Sequence, residues 1–267
     1  MRNNKYRSIL NWVFPVVVVL VILTGGIFET AFVLIGYIVY RFYTERDRIH
    51  SYYGKKHYLK GKLGKSVERY EKAFNTNMAE NKVIISYVYS LILSGDIEKA
   101  NEIMDFVREI DKKEDIESSL LICEALLKWK NTGNIRSGII LMESAASELK
   151  NSSYYANLGR LYLLSGQFVQ ASALTREGYE YNRNNSIILE NLLYLLLKDK
   201  EDEKALPVAK ELLKAGPHTP DALYYSALAF ENSKNWKIAG KLYKKAMEYE
   251  HTALSLVDPE SVRQKGE

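Results

Sequence analysis

The sequence predicts an all-α protein: an α-solenoid of about six helical hairpins, preceded by two short transmembrane helices. Three observations carry this. Two apolar runs fill residues 9–43, a small-residue motif recurs about every 34 residues through the rest, and only 5 prolines interrupt 267 residues. Nothing reads as a Gly/Ser-rich linker, and a composition 47% apolar and 26% charged is that of a folded chain.

Residues 9–23 read ILNWVFPVVVVLVIL without a charge, Thr24, Gly25 and Gly26 interrupt, and IFETAFVLIGYIVY follows over 27–40. A single helix through both runs would be about 48 Å long, against a hydrocarbon core of about 30 Å. Two spans, over about residues 9–24 and 27–43, fit better, with Gly-Gly supplying the left-handed conformations of a tight reversal. Trp12, Tyr37, Tyr40 and Tyr43 suit the interfacial aromatic belt. Arg2, Lys5 and Arg7 precede the first run and Arg41, Arg46, Arg48, Lys55 and Lys56 follow the second, while the turn carries no cation. The positive-inside rule then places both ends on the cytoplasmic side of a cell membrane. A signal peptide cleaved at residues 24–26 and a re-entrant hairpin are the alternatives. Glu29 reads as a solvated carboxylate near the tip rather than an intramembrane site.

The remainder repeats. Clear copies are GKLGKSVERYEKAF from Gly61, GDIEKANEIMDFV from Gly95, GNIRSGIILMESA from Gly133 and GQFVQASALTREG from Gly166. KEDEKALPVAKELL from Lys200 and KNWKIAGKLYKKA from Lys234 are two further copies. The small residue five positions after each opener is Ser66, Ala100, Gly138, Ala171, Ala205 and Ala239, at successive steps of 34, 38, 33, 34 and 34. In the helix before each opener a Leu-Gly-like pair falls at Tyr53-Gly54, Tyr87-Val88, Ala125-Leu126, Leu158-Gly159, Leu192-Leu193 and Ser226-Ala227.

This pattern resembles the tetratricopeptide repeat (TPR), whose period is about 34. The resemblance implies six two-helix repeats over residues 44–253, at 47–80, 81–114, 119–151, 152–185, 186–219 and 220–253. It leaves 1–43 as the membrane hairpin and 254–267 as a C-terminal cap or tail, with Pro259 limiting any helix there. The 38-residue step is read as a polar loop lengthened around Lys112, Lys113, Glu114 and Asp115. Of the family's terminal prolines only Pro217 is present.

Catalytic and cofactor signatures are missing. There is no Gly-rich phosphate loop, no HExxH and no nucleophile elbow, so the reading is of a chain that is not an enzyme and needs no cofactor or metal. His50, His57, His218 and His251 are scattered, and one His pair supplies too few metal ligands. Cys123, within LLICEALL, reads as a small buried residue and excludes an intramolecular disulfide. A net charge of +4, partly beside the apolar hairpin, gives no reason to expect nucleic-acid binding.

What the resemblance does imply is a concave groove lined by the first helix of each repeat, taking a protein or peptide ligand. Carried over residue by residue, the candidate binding residues are Asn157, Arg160, Asn191, Tyr194, Tyr225, Tyr89 and Lys55. Asparagine can donate to and accept from an extended backbone, Arg160 can pair with a ligand carboxylate, and the tyrosines offer amphipathic area. The family's lysine-and-asparagine clamp for C-terminal carboxylates is not reproduced. The functional reading is a membrane-anchored adaptor. The alternative is an assembly subunit that binds other membrane proteins, or a second copy of itself, through the hairpin.

Overall fold

The computed structural model describes residues 2–108, 114–146 and 150–267, which form fifteen α-helices and no strand. Helices α1 (Arg2–Thr24) and α2 (Ile27–Thr44) are antiparallel. The Phe14 ring stacks on those of Tyr37 and Tyr40 at 5.5 and 5.0 Å. Val16, Leu20, Leu23, Phe28, Phe32, Ile35, Val39 and Phe42 all face outward. Of the two expected spans only α2 is long and apolar enough to cross a bilayer; the apolar part of α1 among the described residues, Val13–Thr24, is shorter.

The reversal differs from the expected left-handed turn. Gly26 is extended, with φ −77° and ψ 174°, and caps α2. Space rather than handedness selects glycine here, since a Cβ on Gly25 would lie 2.7 Å from the Val21 carbonyl oxygen. Glu29 sits in the first turn of α2, where a carboxylate complements the positive end of the helix dipole.

Glu45 separates α2 from α3 without breaking the helical ladder: its N–H donates to the Arg41 carbonyl at 2.9 Å, and its carbonyl accepts from Ile49 at 3.0 Å. Six helix pairs follow. They are α3 (Arg46–Tyr58) with α4 (Leu63–Phe74), α5 (Asn81–Ser94) with α6 (Ile97–Arg108), and α7 (Glu114–Thr132) with α8 (Ile135–Ser144). Then come α9 (Ser152–Leu164) with α10 (Phe168–Tyr181), α11 (Ser186–Lys198) with α12 (Asp202–Ala215), and α13 (Pro220–Asn232) with α14 (Trp236–Met247). Each turn inside a pair holds one left-handed residue: Gly61, Gly95, Gly133, Gly166, Lys200 and Lys234. Two residues later the second helix begins, and its small residue (Ser66, Ala100, Gly138, Ala171, Ala205 or Ala239) is buried at the crossing with the first.

Asn134, Asn151, Asn185 and Thr219 cap α8, α9, α11 and α13, each side chain accepting from backbone N–H groups of the first turn. The 38-residue step departs from expectation. Lys112 and Lys113 lie outside the described residues, but Glu114 and Asp115 open α7, which at 19 residues outruns the 13 or 14 of the other first helices. At least part of the insertion lengthens a helix rather than a loop.

Neighbouring pairs stack because each second helix packs on the first helix of the next pair and first helices pack on one another, as α5 on α7, α7 on α9, α9 on α11 and α11 on α13. The apolar core falls into two clusters, one over the first four pairs together with Ile188 and Leu195 of α11, and one over the last two. Beyond α14 the chain runs through residues 249–258 into a further helix. Pro259 occupies the first turn of α15 (Pro259–Gly266), a position that needs no backbone N–H, so it starts a helix instead of limiting one. Helix α15 returns onto α14, with Val262 buried and Lys265 2.7 Å from Glu231.

Candidate functional site

The first helices of the pairs face a common concave surface, and the repeat register brings most of the predicted residues there. Asn157 and Arg160 lie one turn apart on α9, which is buried without interruption over residues 154–163. An inner helix of an open solenoid would leave such a face in water. Here neighbouring helices bury much of it, and the chain's own residues 249–258 cover it at Arg160.

That segment leaves α14, crosses the concave face and returns to α15. The Glu250 N–H donates to the Gly61 carbonyl at 2.9 Å, and the Glu250 carboxylate accepts from the Gly64 N–H at 2.7 Å. The Ala253 N–H donates to the Leu93 carbonyl at 2.7 Å, and the Ala253 carbonyl accepts from Lys130 Nζ at 3.2 Å. The Leu254 carbonyl accepts from Arg160 at 3.4 Å, and the Leu256 N–H donates to Asp221 Oδ2 at 2.6 Å. Leu254 is buried in the larger core cluster and Val257 in the smaller, so the segment bridges both. Five of the six pairs are touched by this one stretch.

Under the segment lies a buried ion triad. Arg160 pairs with Glu190 and, at 3.0 Å, with Asp221 Oδ2; Glu190 also accepts from the Thr219 hydroxyl at 2.6 Å. All three charged groups are at most 4% exposed. One cation against two carboxylates leaves the cluster net negative. Burial, and then the neighbouring Glu190, push the Asp221 carboxyl up to about 6, while Arg160 and the Leu256 and Val257 amides pull the other way. Arg160 therefore serves internal carboxylates rather than standing free for one from a ligand.

The other predicted residues divide. Asn157 donates to the Ser153 carbonyl at 2.9 Å and accepts from the Tyr89 hydroxyl at 3.1 Å. Asn191, one repeat on, is fully buried and donates to the Ala156 carbonyl at 3.0 Å, so it joins α11 to α9 and has no surface to offer. Tyr194 and Tyr225 meet edge to face at 5.2 Å, with Tyr225 buried and Tyr194 half-buried. Lys55 is exposed at the rim.

Beside the covering segment the concave face stays open as a cleft of about 380 Å³. Lys55, Tyr58, Lys82, Ser86, Tyr89 and Asn157 are among its lining residues, with Ile85 and Ile122 as apolar floor. Tyr58, Tyr89, Asn157 and Ile187 separate it from a smaller recess that holds Thr252, Leu254 and Ser255. Tyr58 also touches the His218 ring at 4.9 Å, bringing the first pair against the chain that leads into the sixth. Burial lowers His218 and pushes the Cys123 thiol up to about 12, so that thiol is unreactive at neutral pH. Among the described residues no group of three His, Cys, Asp or Glu side chains is placed to hold a metal.

Sequence reasoning missed Glu190 and the whole role of residues 249–258. A signal was there: Leu254, Leu256 and Val257 are apolar residues just beyond the sixth repeat.

No family model matches the chain, and no curated protein matches it. Solved structures do. The chain is similar to a tetratricopeptide repeat protein from Parabacteroides merdae at 12% identity, with 98% of this chain and 97% of that one covered and a TM-score of 0.52. It is similar to a thermophilic TPR protein of Thermus thermophilus at 14% identity, with 69% and 99% covered and a TM-score of 0.54. It is also similar to YrrB, a TPR protein with an unusual peptide-binding site, at 17% identity, with 68% and 92% covered and a TM-score of 0.40. Identities this low speak to architecture alone. The fold is a tetratricopeptide-like α-solenoid.

Proposed function

We propose that this chain is a scaffold that holds a protein or peptide partner on its concave face beside a membrane into which the α1–α2 hairpin inserts. The observation that carries the reading is the open cleft, lined by inner-helix side chains of several successive pairs and rimmed by Lys55 and Lys82. Its hydroxyls and amides suit the main chain of an extended segment, and Ile85 and Ile122 suit an apolar side chain. The hairpin's outward apolar side chains and the cations at both of its ends support insertion. Because the helical ladder runs from α2 into α3, the anchor would hold the solenoid close to the membrane surface. A non-catalytic role fits the fold and the unreactive thiol.

The assembly reading is favoured by a different feature. The face of α2 turned away from α1 exposes Phe32, Ile35, Val39 and Phe42, and Gly36 has open space where a side chain would be. Such a face suits another membrane helix, from a partner or from a second copy.

Photo-crosslinking in native membranes separates these readings, with a photoreactive residue at Lys55 in one variant and at Phe32 in another. We expect a discrete protein adduct from Lys55. An adduct from Phe32 alone would overturn the adaptor reading in favour of hairpin assembly.

A further inference from the structure

We propose that residues 249–258 are an internal stand-in for a ligand of the concave face, so that the recess beneath them recognises a segment that turns at a small-then-leucine pair, as the Ser255 N–H donating to the Thr252 carbonyl makes this one do, and takes one from outside only when this segment leaves. The inference rests on the scaffold reading and deepens it by naming the ligand class and what competes with it.

The segment is held as a bound peptide would be. Its carbonyls at Ala253 and Leu254 accept from Lys130 and Arg160, and its amides at Ala253 and Leu256 donate to Leu93 and Asp221. Both polarities of the main chain are read. Leu254 supplies the apolar anchor in the recess beside Tyr58 and Tyr89, and Val257 is buried in the smaller core cluster. The wall chemistry sets the ligand class. Glu190 and Asp221 outnumber Arg160, so an acidic residue in place of Leu254 or Leu256 would meet unfavourable charge as well as a desolvation cost.

Departure of the segment leaves the buried ion cluster and Asn157 paired. Arg160 keeps both carboxylates, Glu190 keeps Thr219, and Asn157 keeps Tyr89 and Ser153. None of these groups depends on the segment for its only partner. The segment is tethered at both ends, by α14 and by α15 packed back onto α14, which gives it the high effective concentration of an intramolecular competitor. An outside ligand would gain affinity in proportion to the fraction of molecules in which the segment is undocked.

The test uses a fluorescent peptide with the sequence of residues 249–258 and the full chain. In one variant Ala253→Pro and Leu254→Ser together remove the amide that donates to Leu93 and the apolar anchor. In a second form a protease site placed between Asp258 and Pro259 is cut after folding, so an uncut, correctly folded solenoid is the starting point. We expect either opened form to bind the peptide at least about tenfold more tightly than the parent, and a peptide carrying Leu254→Asp to lose that binding. Equal binding by parent and opened forms, or no binding by an opened form that keeps its helical circular dichroism, would overturn the proposal. A Lys55 crosslink obtained alongside that failure would leave the scaffold reading standing and remove only the segment's role.

Discussion

Asp221 illustrates how one side chain can serve both the solenoid and the segment that covers it. It faces Arg160 on α9, Glu190 on α11, Tyr225 on its own helix and the Leu256 and Val257 amides of the covering segment. Its carboxyl is raised to about 6 in the folded chain, above the ordinary carboxylate value it regains on unfolding. The folded state therefore binds this proton more tightly, and the group's contribution to stability grows as pH falls through about 6 toward the unfolded value. Removing Arg160 would not isolate this effect, because stripping one partner from a buried ion cluster costs about 3–5 kcal/mol by itself. Asp221→Asn is the cleaner variant. Between pH 7 and pH 5 the Tm of the parent, taken relative to the variant, should rise, as thermal melts followed by circular dichroism would show. Parallel Tm curves would contradict the assignment. The sequence placed Arg160 on the inner face through its repeat register. It could not show that Arg160 pairs with Asp221, because 61 positions separate them and partner choice depends on the curvature of the stack.

At the scale of elements, the turn inside each helix pair combines a legible rule with a visible exception. Four of the six turns place glycine in the left-handed region, and two place lysine there, Lys200 at φ 60° and Lys234 at φ 61°. A side chain in that conformation costs roughly 1–2 kcal/mol relative to a right-handed one, a strain glycine does not feel. Lys234→Gly is accordingly expected to stabilise the chain by about 0.5–1 kcal/mol once glycine's larger unfolded-state entropy is set against the relief. Urea unfolding measures it, and a loss of stability would show that Lys234 makes a compensating interaction. The spacing of these openers was readable from sequence because every turn needs the same backbone geometry. The α1–α2 reversal was misread because Gly-Gly there answers to close packing against the Val21 carbonyl and not to handedness. Glu114 and Asp115 were read as loop because charged residues that suit a loop suit a long helix equally well.

For the whole molecule, what period and pattern could not convey is closure. Stacking follows from neighbour contacts one repeat at a time, and each step is encoded locally. Whether the ends of the stack meet depends on the accumulated rotation and on the stretch after the last repeat. Here the Tyr249 ring lies against Gly61, and the segment that follows binds the first pair at Gly61 and Gly64, the second at Leu93, the third at Lys130, the fourth at Arg160 and the sixth at Asp221. The concave face is consequently a groove with an internal occupant at its centre and an open cleft beside it, which is the arrangement on which both functional proposals stand. Hydrogen exchange of the full chain, resolved at the Ala253 and Leu256 amides, tests that arrangement most directly. Both amides should exchange at least about a hundredfold more slowly than an unstructured peptide, through an opening that leaves α9 and α13 protected. Exchange at the rate of an unstructured peptide would place the segment outside the groove and contradict the account.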